Sequence, residues 1–148
     1  MAPQSQSNPH PIYLLCLSLI SPCVVRSIRS KVQQRIQLLQ ATYPGFQPQL
    51  AVVQAGDRPD SSSYIRMKAK AAEDLGIKFN HIKIPEDTSL EETVEIVKIL
   101  NDDDHVSGIL VQLPLGDHIG RDGERIVTQA ISAEKDVDGY ASFNMSIH

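Results

Sequence analysis

Apolar residues along this chain switch between two periods, and the switching predicts alternating helices and strands. Ile28, Val32, Ile36 and Leu39 recur at helical spacing with Arg, Lys and Gln between them, which predicts a helix over residues 28–42. Tyr43-Pro44-Gly45 is a stop and turn. Leu50-Ala51-Val52-Val53 is an unbroken apolar run and reads as a buried strand. Residues 54–60 then read as a loop ending in an Asp/Ser cluster that can cap the next helix, expected over 62–75 with Gly76 as its C-terminal stop. Ile77, Phe79, Ile82 and Ile84, with His81 among them, predict a strand over 77–84. Ser89 and Glu92 match an S-x-x-E capping box, and Leu90, Val94, Val97 and Leu100 form the apolar stripe of the helix behind it. Asn101-Asp102-Asp103-Asp104 ends that helix. A third strand is expected over 106–112, and Pro114, which has no N–H to donate, ends its ladder. A short helix over 124–131 would bury Ile126, Val127, Ala130 and Ile131.

The predicted order is a helix followed by β-α-β-α-β-α. This alternation argues for an α/β fold, a three-layer βαβ domain with a mostly parallel sheet covered by helices. In open sheets of this kind, ligands sit beyond the carboxyl ends of the strands. Residues 54–61 follow the first strand and Gln112 ends the third. Both are therefore expected to meet the helix carrying Tyr64 and Lys68 at one edge of the sheet.

Composition narrows the partners. The 148 residues suffice for one domain with a core. A net charge of −4, with acids and bases interleaved, gives no basic stripe for nucleic acid or an anionic membrane. Cys16 and Cys23 do not form a zinc pattern and are expected to be free thiols. His10, His81, His105, His118 and His148 lack ligand spacing, so no metal site is expected.

The first 25 residues differ from the rest. Residues 1–11 are rich in Pro, Ser and Gln and read as disordered. Residues 12–25 form an apolar run too short to span a bilayer comfortably, with no Lys or Arg before it. A weak signal or anchor, a buried segment, and sequence foreign to the domain compete. The last is favoured, because everything after about residue 26 is coherent without this run. The expected division is thus residues 1–25 apart and a domain over 26–148.

Lys68 follows Tyr64 by one helical turn, so an aromatic plate and an amine share a face. That pairing suits a flat heterocycle and proton transfer beside it, although a solvated helix lysine is the commoner fate. Ala71 and Ala72 near the same face would allow a partner close approach. Gln112 ends an otherwise apolar strand, and a buried amide there needs a partner such as a lysine ammonium. Asp136 and Asp138 flank Val137 and would face the same way if extended. One could bind a polar ligand while the other caps a turn at Gly139. Two solvated loop acids are an equal reading. A Y-x-x-x-K pair also occurs in short-chain dehydrogenases, but no G-x-G-x-x-G turn exists in this chain.

Taken in order, Pro44-Gly45-Phe46, Gln54-Ala55-Gly56-Asp57-Arg58-Pro59-Asp60-Ser61, Tyr64-x-x-x-Lys68-x-Lys70-Ala71-Ala72-Glu73, Gly76-Ile77, residues 108–115 (GILVQLPL) and residues 134–139 (EKDVDG) resemble one family. It is the methylenetetrahydrofolate dehydrogenase/methenyltetrahydrofolate cyclohydrolase family, and the resemblance is greatest to the N-terminal catalytic domain of the eukaryotic C1-tetrahydrofolate synthases. It covers about residues 26–144. The resemblance implies one-carbon folate chemistry that serves purine biosynthesis. It makes Lys68 the catalytic lysine, Gln112 the glutamine that bonds it and tunes its protonation, and Asp138 the aspartate that grips the pterin. Tyr64 would stack on the folate rings, Ser61 would lie near the site, and Val111, Leu113 and Pro114 would line it. A lysine of lowered pKa serves such chemistry as a base near neutral pH.

The family's pattern continues into an NADP-binding Rossmann domain and a returning helix, and neither is recognisable in these 148 residues. The expectation is therefore a cytoplasmic, folate-binding chain that lacks cofactor-binding residues of its own and the dehydrogenase step, with cyclohydrolase activity conceivable. The resemblance also implies a homodimer or a mixed dimer with full-length enzyme. The competing expectation is a non-catalytic folate-binding or hetero-dimerising piece.

Overall fold

The structure, a computed structural model, describes residues 22–140. Helix α1 spans Pro22–Thr42, strand β1 Gln49–Ala55, helix α2 Pro59–Asp74 and strand β2 Lys78–Ile84. Helix α3 (Leu90–Asp102), strand β3 (Gly108–Gln112) and helix α4 (Gly120–Gln129) follow. The three strands form one sheet in the order β2-β1-β3, and both pairings are parallel. Parallel neighbours need a crossover, which α2 supplies between β1 and β2 and α3 between β2 and β3.

The helices cover both faces, so the domain has the expected three layers. On one face Val32 and Ile36 of α1 and Ile65 and Ala72 of α2 pack on Leu50, Val52 and Leu110. On the other, Val97 and Leu100 of α3 and Val127 of α4 pack on Ala51, Val53, Ile109 and Val111. Strand β1 lies between its two neighbours and is buried along its whole length. Strand β2 lies at an edge of the sheet and is less buried, with Ile84 its only fully buried residue.

Several boundaries differ from expectation. Helix α1 begins at Pro22 rather than residue 28, so the end of the apolar run belongs to it. Proline suits a first helical turn, where its missing N–H is not needed. The rest of that run, residues 12–21, and Cys16, His10 and His148 lie outside the described residues. Cys23 is an exposed free thiol. No helix among the described residues is long and apolar enough to cross a membrane. No cluster of metal-ligating side chains occurs among them either.

Gln54 and Ala55 were expected in a loop but complete β1. Helix α2 begins at Pro59, ahead of the Asp/Ser cluster, and its N-cap is Arg58 with no side-chain cap bond. Proline at the first position sets φ and starts the helix before the serines. Helix α3 carries the predicted capping box in full, and Gly76 follows α2 with φ of 79°. Helix α4 starts at Gly120, and its buried residues are Gly123, Val127 and Thr128. Ile126, expected inside, is 45% exposed, because the buried stripe runs through Gly123, Val127 and Ile131 at four-residue spacing and Ile126 falls beside it.

Candidate active site

Two glutamines end adjacent strands. Gln54 of β1 and Gln112 of β3 are register partners. Alternation along each strand turns both toward the face that packs on α1 and α2, after Val52 and Leu110 respectively. Helix α2 therefore runs over a sheet edge that offers two amides.

Lys68 donates from Nζ to Gln112 Oε1 over 3.1 Å. The amide has only one orientation available for this bond, because its Nε2 donates to the Leu113 carbonyl at 3.0 Å. The ammonium thus meets a fixed acceptor 44 residues away in sequence. Tyr64, one turn earlier on α2, is 60% exposed and free of the core. Its ring is a surface available to a ligand rather than a packing element. Ser61 is buried in the first turn of α2, two turns before Lys68 on the same stripe.

The segment after α4 runs beside β3. Ile109 N–H donates to the Lys135 carbonyl at 2.7 Å, and Ile109 and Asp136 form a parallel bridge. Asp136 is buried and accepts the Gly139 N–H at Oδ1 over 3.0 Å, closing a turn at Gly139. Asp138 is exposed. The two acids therefore do not face the same way: one is structural, the other is open to solvent. Lys135 anchors the segment from behind, donating to the carbonyls of Leu100, Asn101 and Asp103 at 3.1, 2.7 and 2.7 Å. Those are the carbonyls at the C-terminal end of α3 and of its cap residue Asp103, which lack helical partners. This role for Lys135 was not read from the sequence.

Not every expected lining residue reaches this face. Val111 is buried among the side chains packed against α3 and α4, on the opposite side of the sheet from Lys68. Strand alternation requires this, since Val111 adjoins Gln112. Leu113 is half-buried against the same cluster, and Pro114 is exposed after a cis peptide bond.

A second polar chain lies beside the first and was also missed. Gln54 Nε2 donates to Ser62 Oγ at 3.1 Å, and Ser62 donates to Asp57 Oδ1 at 3.0 Å. His81 Nε2 is 2.9 Å from Gln54 Oε1, and Lys83 Nζ is 3.0 Å from Asp57 Oδ2. The hydrogen bond and charge of Lys83, with the Ser62 hydroxyl, hold the Asp57 carboxyl below its ordinary range. The one available signal was a glutamine closing an apolar run, the same signal that marked Gln112.

The comparisons with known proteins agree with this geometry. The cytoplasmic C-1-tetrahydrofolate synthase of Saccharomyces cerevisiae is 44% identical over 120 residues, which is 81% of this chain and 12% of that protein. The bifunctional methylenetetrahydrofolate dehydrogenase/cyclohydrolase FolD of Campylobacter jejuni superposes with a TM-score of 0.75 at 36% identity, over 83% of this chain and 42% of that one. The Trypanosoma brucei FolD, solved with NADP cofactor and an inhibitor, gives 0.69 at 32% identity over 77% and 37%. The chain thus spans less than half of the length of each of these proteins. Residues 22–138 match the family described as tetrahydrofolate dehydrogenase/cyclohydrolase, catalytic domain. A chain matched over that span, with this sheet order and a lysine bonded across it to a strand-end glutamine, belongs to the tetrahydrofolate dehydrogenase/cyclohydrolase family.

Proposed function

We propose that this chain binds a tetrahydrofolate derivative over Tyr64 and Lys68 and hydrolyses 5,10-methenyltetrahydrofolate to 10-formyltetrahydrofolate. The Lys68–Gln112 bond carries the reading. It fixes an amine beside an exposed aromatic ring, and both lie where open α/β sheets bind ligands.

The roles follow from the chemistry of each group. Tyr64 stacks on the flat ring system, which supplies apolar contact at low entropic cost. Asp138 accepts hydrogen bonds from the pterin, with Ser61 beneath the same face. Pro114, exposed just after Gln112, forms an apolar rim. Val111 and Leu113 support it from below rather than through side-chain contact. In the reaction, water attacks the cationic methenyl carbon and a C–O bond forms. Lys68 as neutral amine accepts a proton from that water. The C–N5 bond then breaks, N5 takes up a proton and the formyl group stays on N10. One water is added and one proton released, as the cationic substrate requires. Gln112 accepts from Lys68 in either state, so the amine stays aimed throughout.

NADP supplies hydride acceptance to the family's dehydrogenase step. Here β1 is followed by a turn with one glycine, Gly56, and no G-x-G-x-x-G occurs. The chain's residues do not fit a dinucleotide, and no step is assigned to one. We extend to this chain the cytoplasmic location in the yeast relative's name, and a folate as small-molecule partner. A dimer, with itself or with a longer relative, belongs to the same reading.

The test is loss of methenyltetrahydrofolate absorbance on the purified chain. Turnover that disappears in Lys68→Met supports hydrolysis. Folate binding without turnover would make the chain a binding module, and the absence of both binding and turnover would overturn the reading.

A further inference from the structure

Gln54 is almost completely buried, and nothing in the proposed reaction uses it. It is also the register partner of Gln112. Both side chains reach α2: Gln112 accepts from Lys68, and Gln54 donates to Ser62 in the helix's first turn. That turn has no side-chain cap of its own. We propose that Gln54, braced by His81, is a positioning residue that fixes the first turns of α2 over the sheet and so aims Tyr64 and Lys68. The proposal rests on the folate-site reading given above for its functional consequence, though not for its geometry.

The chain of bonds has a single direction, and this makes it a brace rather than a set of casual contacts. A carboxylate only accepts, so the Ser62 hydroxyl must donate to Asp57. The Ser62 oxygen is then left to accept, and the Gln54 amide must present its nitrogen. Its oxygen faces His81, whose Nε2 must carry the proton. Asp57 sits at the end of this order, held ionised by Lys83. Three elements are thereby tied at one point: β2 through His81 and Lys83, β1 through Gln54, and α2 through Ser62. Helix α2 is pinned to neighbouring strands at two places, six residues apart, by two amides that share a register. Two such points fix the rotation of a helix about its axis as well as its height, which one point does not. Rotation decides where Tyr64 points.

Two substitutions separate aiming from mere stability. Gln54→Leu keeps the buried volume and removes both bonds. His81→Phe, at an exposed position, removes only the brace, and His81→Gln restores an N–H donor. Turnover of methenyltetrahydrofolate is measured with thermal unfolding and with hydrogen exchange at the amides of residues 62–68 and of α3. Displacement of an aimed group by about an ångström costs on the order of a hundredfold in rate. Gln54→Leu is therefore expected to lower kcat of the folded protein roughly ten- to hundredfold with a smaller change in KM. His81→Phe should lower it less, and His81→Gln should return it toward wild type. Exchange should rise at residues 62–68 and not in α3. Unchanged kcat and unchanged exchange at 62–68, or a fall in melting temperature alone, would overturn the proposal. If wild type binds no folate and turns nothing over, the hydrolase reading fails by itself. The exchange pattern then decides whether the brace exists. Should Gln54→Leu not fold, the His81 pair carries the same comparison.

Discussion

Helices α2 and α3 start in opposite ways. The start of α3 is built locally: Ser89 accepts the Glu92 N–H at 3.2 Å, and Glu92 reaches back to the Ser89 N–H at 3.1 Å. The start of α2 has Arg58 at its cap and no side-chain bond there. Its first turn is tied instead to the sheet, through Gln54 of β1 and ultimately His81 of β2. A locally capped helix forms with whatever orientation packing gives it. A helix held by side chains from two strands is oriented by the sheet, and orientation is what an aligned aromatic and amine require. On the proposed reading, both helices bury core residues and α2 has the added task of aiming Tyr64 and Lys68.

Four measurements test this division. The largest effect is expected on α2: Lys68→Met should lower methenyltetrahydrofolate turnover roughly 10²- to 10⁴-fold. The same variant should change unfolding free energy by about 1 kcal/mol or less. A large loss of stability in a urea titration would instead make Lys68 structural. Next comes Leu100→Ala on α3, buried on the far side of the sheet. It should cost about 2–5 kcal/mol of stability while turnover per folded molecule stays unchanged. Third, the two caps can be compared directly. Ser89→Ala should cost about 1 kcal/mol, whereas Arg58→Ala should stay within about 0.5 kcal/mol. Equal costs would remove the contrast.

The smallest effect is in acid. Ser89's backbone N–H, then its hydroxyl, holds the Glu92 carboxyl below its ordinary value of 4.5. Lys83 does the same for Asp57, and the His105 N–H and ring for Asp103. The folded state then binds fewer protons than the unfolded chain. These groups add stability that is present above about pH 4.5 and lost as pH falls through the depressed folded values. Asp57 and Glu92 are exposed and Asp103 is only half-buried, so the slope is shallow and weakens with salt. Glu92→Gln retains the capping geometry without the charge. Its melting temperature should lie slightly below wild type near neutrality, fall less steeply below pH 4.5 and converge with wild type there. An unchanged acid slope would show that this carboxylate does not contribute.

What could be read from the sequence depended on how local the cause was. The α3 capping box, the Gly76 stop and the buried run of β1 each follow from neighbours within a few residues, and each is present. The Lys68–Gln112 bond was legible for a different reason: a lone amide ending an apolar strand demands a partner. Gln54 raised the same demand, but the glycine and proline that follow made it look like loop. Val111 was misplaced because a motif names neighbours in sequence, while a strand sends neighbours to opposite faces. The start of α2 was set late by its serines, although Pro59 had already fixed φ. A cap by one of the two acids on a turn at Gly139 was legible, and Asp136 provides it through its side chain; the same turn ends the extended run that would have kept Asp136 and Asp138 on one side.

The placement of β1 between its two partners also has a temporal consequence. Its tie to β2 through Gln54 and His81 closes a loop of 27 residues, whereas the bond from Gln49 N–H to Ser107 ahead of β3 closes one of 58. Longer closures cost more entropy and come together more slowly. A growing or refolding chain can therefore orient α2 through Gln54 before Gln112 arrives to receive Lys68. The amine acquires its acceptor only when β3 docks, so the Lys68–Gln112 bond reports that all three described strands have come together.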